Sequence, residues 1–279
     1  FNMVTVAPAA LADGTRGAGL EVDPLDQDRC LVFFKPNQIY FMLTGLKIAS
    51  LAEAGELADY DWIVATTWPT SMSIGQLAER NDPPLPTFRV PVGFKYFASL
   101  VTDLEEQIAA GTDPTAAADV TGARTEFGPR PRLLMMAEES GGAAMGPAEP
   151  VSSRHGNRTS LAAKEKDAMQ IGVMALCLAA RLHREGSSFA AYYLDLLERC
   201  GTNYRFYERR DITLFDESLK GAARDEAKAA GNELKEKTVA FFADLEGRDP
   251  AEVATILAPR LPDGTDLPPV SYTHLTLPT

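Results

Sequence analysis

The run Arg132-Leu-Leu-Met-Met-Ala-Glu-Glu-Ser-Gly-Gly142 constrains this chain more than any other. Its apolar residues at 133–136 read as a short buried strand. That strand empties into Glu138, Glu139, Ser140, Gly141 and Gly142. In an open α/β sheet, ligands bind just beyond the carboxyl ends of the strands, so the stretch predicts both an α/β fold and a candidate site. Glu138 and Ser140 stand two apart, and in an extended segment both side chains leave on one side. A carboxylate accepts hydrogen bonds and a hydroxyl does both, a combination suited to sugar hydroxyls. The glycines allow a sharp turn and close backbone approach to a small molecule. The competing reading is a polar loop that only caps the next element.

Other strand-like runs lie at 4–6, 30–34 and 61–67, and a further one begins at Phe88. Helical periodicity covers 40–57, 71–80 and 100–108, and helices are also expected at 189–200, 217–245 and 249–257. The segment 169–182 is apolar nearly all round and predicts a buried helix. Residues 111–130, rich in Ala, Gly, Thr and Pro, predict an exposed loop, and 143–160 a mobile excursion. No internal repeat or heptad pattern is present.

The balance of 27 basic against 39 acidic residues, net -12, argues against nucleic acid or an anionic membrane as partner. Cys30, Cys177 and Cys200 are odd in number and carry neither CxxC nor Cys/His spacing, which predicts reduced thiols in a cytoplasmic setting. No signal peptide or long apolar span is visible. The chain starts inside a strand-like run, and its last ten residues, 270–279, resemble a translated sequencing adapter. Both ends are therefore expected to be open, with the tail set aside from fold reasoning.

Two further stretches carry chemistry. Asp23, Asp26 and Asp28 fall within six residues ahead of a strand, with Arg29 directly behind. Mg²⁺ takes a few carboxylate oxygens plus water or substrate phosphate, so this turn is a candidate metal loop rather than a solvated acidic turn. An EF-hand is excluded, because the twelfth position counted from Asp23 or Asp26 is Phe34 or Asn37 instead of Glu. Gly93 precedes Lys95 by two residues at a strand-to-helix junction, where free helix N–H groups and an ammonium together make a candidate anion site.

In this order, the stretches resemble motifs of the phosphoglucomutase/phosphomannomutase family, the α-D-phosphohexomutases. Asp23-Pro-Leu-Asp26-Gln-Asp28-Arg29 is similar to the family's metal loop Asp-x-Asp-x-Asp-Arg, with one residue inserted after Asp23. Pro91-Val-Gly-Phe-Lys95 is similar to the segment whose lysine faces the phosphosugar. Ala137-Glu138-Glu139-Ser140-Gly141 resembles the sugar loop Gly-Glu-x-Ser-Gly, and Lys164-Glu-Lys-Asp167 resembles Arg-Glu-Lys-Asp-Gly. The resemblance spans residues 23–214.

The resemblance implies tandem three-layer α/β/α domains with mixed sheets. Residues 1–45 would end a second domain, 46–184 form a third, and 185–269 hold a connector and the start of a fourth, α+β domain. It also implies a cytoplasmic, Mg²⁺-dependent phosphohexomutase, an isomerase that moves phosphate between the 1- and 6-positions of a hexose. A phosphoserine and a bisphosphate intermediate carry the phosphate. Asp23, Asp26 and Asp28 would hold Mg²⁺, Glu138 and Ser140 would bind the sugar, and Lys95 would contact the sugar or its phosphate, with a share in proton transfer. Arg29 would steady the metal loop or the phosphate. Partners would be hexose phosphate and hexose bisphosphate, and the protein a monomer or homodimer. The serine loop would lie upstream, so the chain alone is expected not to turn over substrate. The alternatives are a sugar-bisphosphate-forming phosphotransferase and a non-catalytic phosphosugar-binding relative.

Overall fold

The computed structural model describes residues 2–119, 122–155, 159–202, 204, 205, 207, 213–245 and 247–260; the adapter-like tail lies outside them. The chain divides into two compact units, Phe1–Tyr207 and Glu208–Thr279.

The first unit opens with strand β1 (Met3–Pro8), helix α1 (Ala12–Gly17), and the hairpin of β2 (Glu21–Pro24) and β3 (Arg29–Phe34). These strands form an antiparallel sheet in the order β1-β3-β2. Cys30, Val32 and Phe34 alternate along β3 and are all buried, which fixes the face turned to the core. Helix α2 (Pro36–Ala54) follows at once. Pro36 supplies a pre-set first turn, the Gln38 side chain accepts from the Lys35 N–H at 2.9 Å, and Gly55 closes the helix at φ 76°. Its first half, from Asn37 to Leu46, is buried on every side.

The second sheet contains β4 (Asp61–Thr67), β5 (Thr87–Val90), β8 (Pro131–Ala137) and the short β9 (Ala143–Ala144) in the order β5-β4-β8-β9. The first three strands run parallel and β9 antiparallel, so the sheet is mixed. Helix α3 (Met72–Glu79) lies between β4 and β5 in the chain, and α4 (Phe94–Ala109) follows β5. Successive β4 residues feed opposite cores. Trp62 and Val64 pack with α2 and α3, and Ile63 and Ala65 pack with Phe97 and Leu104 of α4. A shift in the β4–β8 register between Ile63 and Val64 leaves Leu134 as an extra residue, a bulge. It explains why the neighbours Leu134 and Met135 both join the first core. The architecture is α/β, with helices on both faces of a mixed sheet.

Residues 111–130 depart from the expected exposed loop. They form the hairpin β6 (Thr115–Ala118) and β7 (Arg124–Gly128), with Ala116, Ala117 and Phe127 buried. The Gln107 side chain of α4 acts as a surrogate strand: its Nε2 donates to the Ala116 carbonyl at 2.7 Å and its Oε1 accepts from the Ala116 N–H at 2.9 Å. Between 143 and 160, Ala143, Ala144 and Met145 are buried, and β10 (Val151–Ser152) pairs with β11 (Thr159–Ser160).

Helix α5 (Ala168–Arg184) is not buried all round either: Ile171, Ala175, Leu178 and Leu182 pack inward, while Met169 and Leu176 are 79% and 70% exposed. Helix α6 (Phe189–Cys200) ends at Gly201 in the left-handed region, as expected from its glycine. Cys30 and Cys200 are buried, Cys177 is exposed, and all three are free thiols. In the second unit, α7 (Gly221–Leu245) is a charged helix, and α8 (Pro250–Leu257) is capped by Asp249, whose carboxylate accepts from the Ala251 N–H at 2.8 Å. Among the described residues no helix is long and apolar enough to cross a membrane.

Candidate sugar-phosphate site

The parallel strands end level with one another. Thr67 of β4 pairs in register with Val90 of β5, and Thr66 pairs with Ala137 of β8. Glu138 therefore leaves the same carboxyl edge as Trp68 and Pro91. Two strand spacings of roughly 4.8 Å separate the β5 and β8 ends, so the expected sugar loop and lysine loop share one rim about 10 Å across.

Glu138 is 3% exposed. Its Oε1 accepts from the Ser140 hydroxyl at 2.8 Å and from the Lys166 ammonium at 2.7 Å. The Glu138 N–H donates to the Gly142 carbonyl at 2.9 Å, and the Gly141 N–H donates to the Glu138 carbonyl at 3.1 Å, closing the loop on itself. Glycine at 142 leaves room for this carboxylate. A Cβ would lie 2.4 Å from the Glu138 Oε1. The Tyr40 hydroxyl donates to the Gly141 carbonyl, tying α2 to this turn. Burial first, and then the charge of Glu138, push the Tyr40 phenol above its ordinary range, so it stays a donor.

Glu139, also buried, points elsewhere. Its Oε2 accepts from the Thr67 hydroxyl at 2.7 Å. That hydroxyl is 2.6 Å from the Thr70 hydroxyl, which in turn reaches the Ala137 carbonyl at 3.2 Å. This chain of bonds braces the ends of β4 and β8 against each other and frees Glu138 to face the rim.

Lys166 carries no sequence signal of its own as a site residue, although the Lys164-Glu-Lys-Asp167 stretch containing it does. Each polar end of that stretch is fastened. The Lys164 ammonium meets Glu105 at 2.6 Å, and Asp167 caps α5 by accepting from the Gln170 N–H at 2.9 Å. Its backbone N–H also reaches the Ala143 carbonyl at 2.9 Å. The hydrogen bond to Glu138 raises the Lys166 ammonium above the ordinary lysine range, which keeps it cationic.

Lys95 lies in the first turn of α4, after Gly93 at φ 121°, a backbone that favours glycine. Its side chain is exposed and its ammonium rests 4.9 Å from the Tyr96 ring centroid. On β5, the Arg89 guanidinium sits 5.5 Å from the Trp68 ring centroid, and burial lowers its pKa. Arg89 is thus a second cation at this rim, with no motif to mark it in the sequence.

The acidic turn stands apart. Asp23 is on β2 opposite Leu31, and Asp26 and Asp28 occupy the β2–β3 turn. The Asp26 Oδ2 binds the Arg29 guanidinium at 2.6 Å and 2.8 Å, and its Oδ1 accepts from the Asp28 N–H at 3.1 Å. The Arg29 hydrogen bond, foremost, holds the Asp26 carboxyl below its ordinary range. The donor type suits a hard dication, but among the described residues no three His, Cys, Asp or Glu side chains are grouped to hold a metal. The turn begins β3, whereas α2, which reaches Gly141 through Tyr40, starts after its far end. Six extended residues set these points on the order of 20 Å apart along the strand.

No family model matches the chain, and no curated protein matches it. A solved structure from Thermus thermophilus, assigned provisionally as a phosphomannomutase, matches 61% of this chain and 26% of its own length, at 16% identity and a TM-score of 0.34. The chain therefore spans about a quarter of that protein. At that TM-score the likeness carries no weight for fold or function.

Proposed function

We propose that the carboxyl edge of the mixed sheet binds a hexose phosphate, as part of a phosphohexomutase that interconverts the 1- and 6-phosphates through a phosphoserine and a bisphosphate. The observation that carries this reading is the Glu138–Ser140–Lys166 cluster: a nearly buried carboxylate holding a hydroxyl and an ammonium at the end of a parallel strand. Sugar hydroxyls can donate to Glu138 and to the Ser140 oxygen and accept from Lys166, so the cluster grips a ring in more than one orientation. A bisphosphate that must turn over between two transfers needs that tolerance. Lys95 and the start of α4 face the phosphate, and Lys95 is the proposed proton carrier to a sugar oxygen. Positioning and charge account for most phosphoryl-transfer catalysis, which fits a rim built from cations and a fixed carboxylate.

In the same reading Asp23, Asp26 and Asp28 would bind Mg²⁺, which would neutralise charge on a transferring phosphoryl group, and Arg29 would steady the phosphate. Arg29 must first leave Asp26, and no step is assigned through the metal. The Asp26–Arg29 pair favours a second reading, a phosphosugar-binding protein that performs no transfer.

Calorimetric titration of the chain with glucose 6-phosphate and mannose 6-phosphate tests the site. Saturable binding is expected. Glu138→Gln and Lys166→Met should each weaken it by about tenfold or more, since a charged hydrogen bond contributes ~1.5–3 kcal/mol. Absence of saturable heat for both sugars, or equal affinity after Glu138→Gln, would refute the assignment.

A further inference from the structure

Lys47 lies on α2, away from the sugar-phosphate rim, and lines a cavity of about 820 Å³. The walls are mainly apolar, with Leu51, Met145, Pro147 and Met174 among them. The amine donates to the Gly146 carbonyl at 2.6 Å and the Leu134 carbonyl at 3.1 Å, with Leu133 at the 3.5 Å limit. It stands 5.0 Å from the Trp62 ring centroid. Among the described residues no carboxylate pairs with it, and Glu56 is the one acidic side chain on the cavity wall.

The wall facing the amine is rigid. A Cβ on Gly146 would lie 2.4 Å from the Leu161 carbonyl oxygen and 2.9 Å from that of Leu133, so only glycine brings this carbonyl to Lys47. Gln170 clamps the preceding residue from both sides, accepting from the Met145 N–H at 2.6 Å and donating to its carbonyl at 2.9 Å. The three carbonyls accept from the nitrogen in either charge state, and none of them supplies a counter-charge. Burial without a counter-charge lowers the pKa to about 7. A desolvated neutral lysine is a carbonyl nucleophile.

We infer that Lys47 is an imine-forming site for apolar aldehydes, with the hydrocarbon part of the ligand held in the adjoining cavity. The amine nitrogen attacks the aldehyde carbon, and the carbonyl oxygen leaves as water with the two amine protons. A C=N bond replaces the C=O, and no oxidant or reductant takes part.

Phenylpropanal is the probe. The intact chain is incubated with it near neutral pH, the imine is fixed with cyanoborohydride, and labelled lysines are identified by peptide mass spectrometry. Lys47 should label at least about tenfold faster than exposed Lys220 or Lys237, because its neutral fraction near pH 7 is far above that of an ordinary lysine. Its rate should level off just above neutral pH while theirs keep climbing. Acetaldehyde, too small to use the cavity, should lose that preference. Lys47→Arg should abolish labelling at 47. Ser50→Trp, at an exposed position on the cavity wall, retains the amine and should slow its labelling several-fold. Labelling of Lys47 no faster than Lys220, or undiminished in Ser50→Trp, overturns the inference.

Discussion

Gly146→Ala should be among the most destabilising single-methyl additions this chain can receive. The new Cβ would meet two backbone carbonyl oxygens, Leu161 at 2.4 Å and Leu133 at 2.9 Å, as well as the Leu133 Cβ at 3.2 Å. Neither oxygen can swing aside as a side chain would. Relieving the closer contact means moving backbone by about 1 Å, in a region where overpacking typically costs ~1–3 kcal/mol. That motion also strains the 2.8 Å bond from the Gly146 N–H to the Leu133 carbonyl and the 2.6 Å bond from Lys47. Each such bond is worth ~1 kcal/mol net, so the expected loss is about 2–4 kcal/mol. Urea unfolding followed by tryptophan fluorescence reads it, since Trp62 and Trp68 both belong to the unit Phe1–Tyr207. With a slope of ~2 kcal/mol per molar, the midpoint should fall by about 1–2 M. Gly172→Ala is the internal control. It lies within α5 with nothing inside 4 Å of the added Cβ, so it should raise stability by roughly 0.5–1 kcal/mol. A Gly146→Ala loss under about 1 kcal/mol, or the same sign for both variants, would refute the packing argument.

Two further outcomes follow from charge. The folded pKa of Lys47, about 7, lies below that of the unfolded chain, near 10.5, so the unfolded state binds more protons between these values. Stability should therefore rise with pH across that window, and Lys47→Met should flatten the rise relative to wild type in urea unfolding at several pH values; parallel curves would show that the amine is not desolvated. Arg29→Met releases Asp26, so the Asp26 carboxyl should return toward its ordinary pKa and the β2–β3 turn should take up Mg²⁺ more tightly than wild type. Calorimetry with Mg²⁺ checks this, and unchanged or weaker binding would mean that Arg29 supports the loop rather than competing for it.

Local patterns made most elements readable. The apolar runs of β3, β4 and β8 and the glycine closing α6 each carry their own signal, because burial on a pleated sheet or a left-handed cap acts on neighbouring residues. The β6–β7 hairpin was opaque for the opposite reason. Four short residues, Thr115-Ala-Ala-Ala118, hold β geometry because Gln107 of α4 bonds both backbone groups of Ala116. Nothing within the hairpin announces that donor. Helix α5 misled through composition: Met169, Val173 and Leu176 look like core residues but face outward.

The candidate site divides along the same line. Glu138, Ser140 and Lys95 were legible because a strand end or a helix start fixes where each side chain emerges, whatever the rest of the molecule does. Lys166 was hidden because its partner lies 28 residues away and only the docking of the segment before α5 brings them together. The acidic turn shows the limit of reading residue types. Asp23, Asp26, Asp28 and Arg29 form one cluster in sequence, and the same four residues can surround a cation or neutralise one another. An arginine three residues after an aspartate lies within reach at a tight turn, and here the Asp26 Oδ2 takes that partner while its Oδ1 accepts from the Asp28 N–H. Choosing between the two states needs a second element that presents oxygen ligands from outside the turn, and a turn's own sequence carries no information about it. A buried carboxylate at a strand end therefore gives the stronger functional reading in this chain, because its partners must be supplied by the fold, whereas an exposed one can pair with its neighbour.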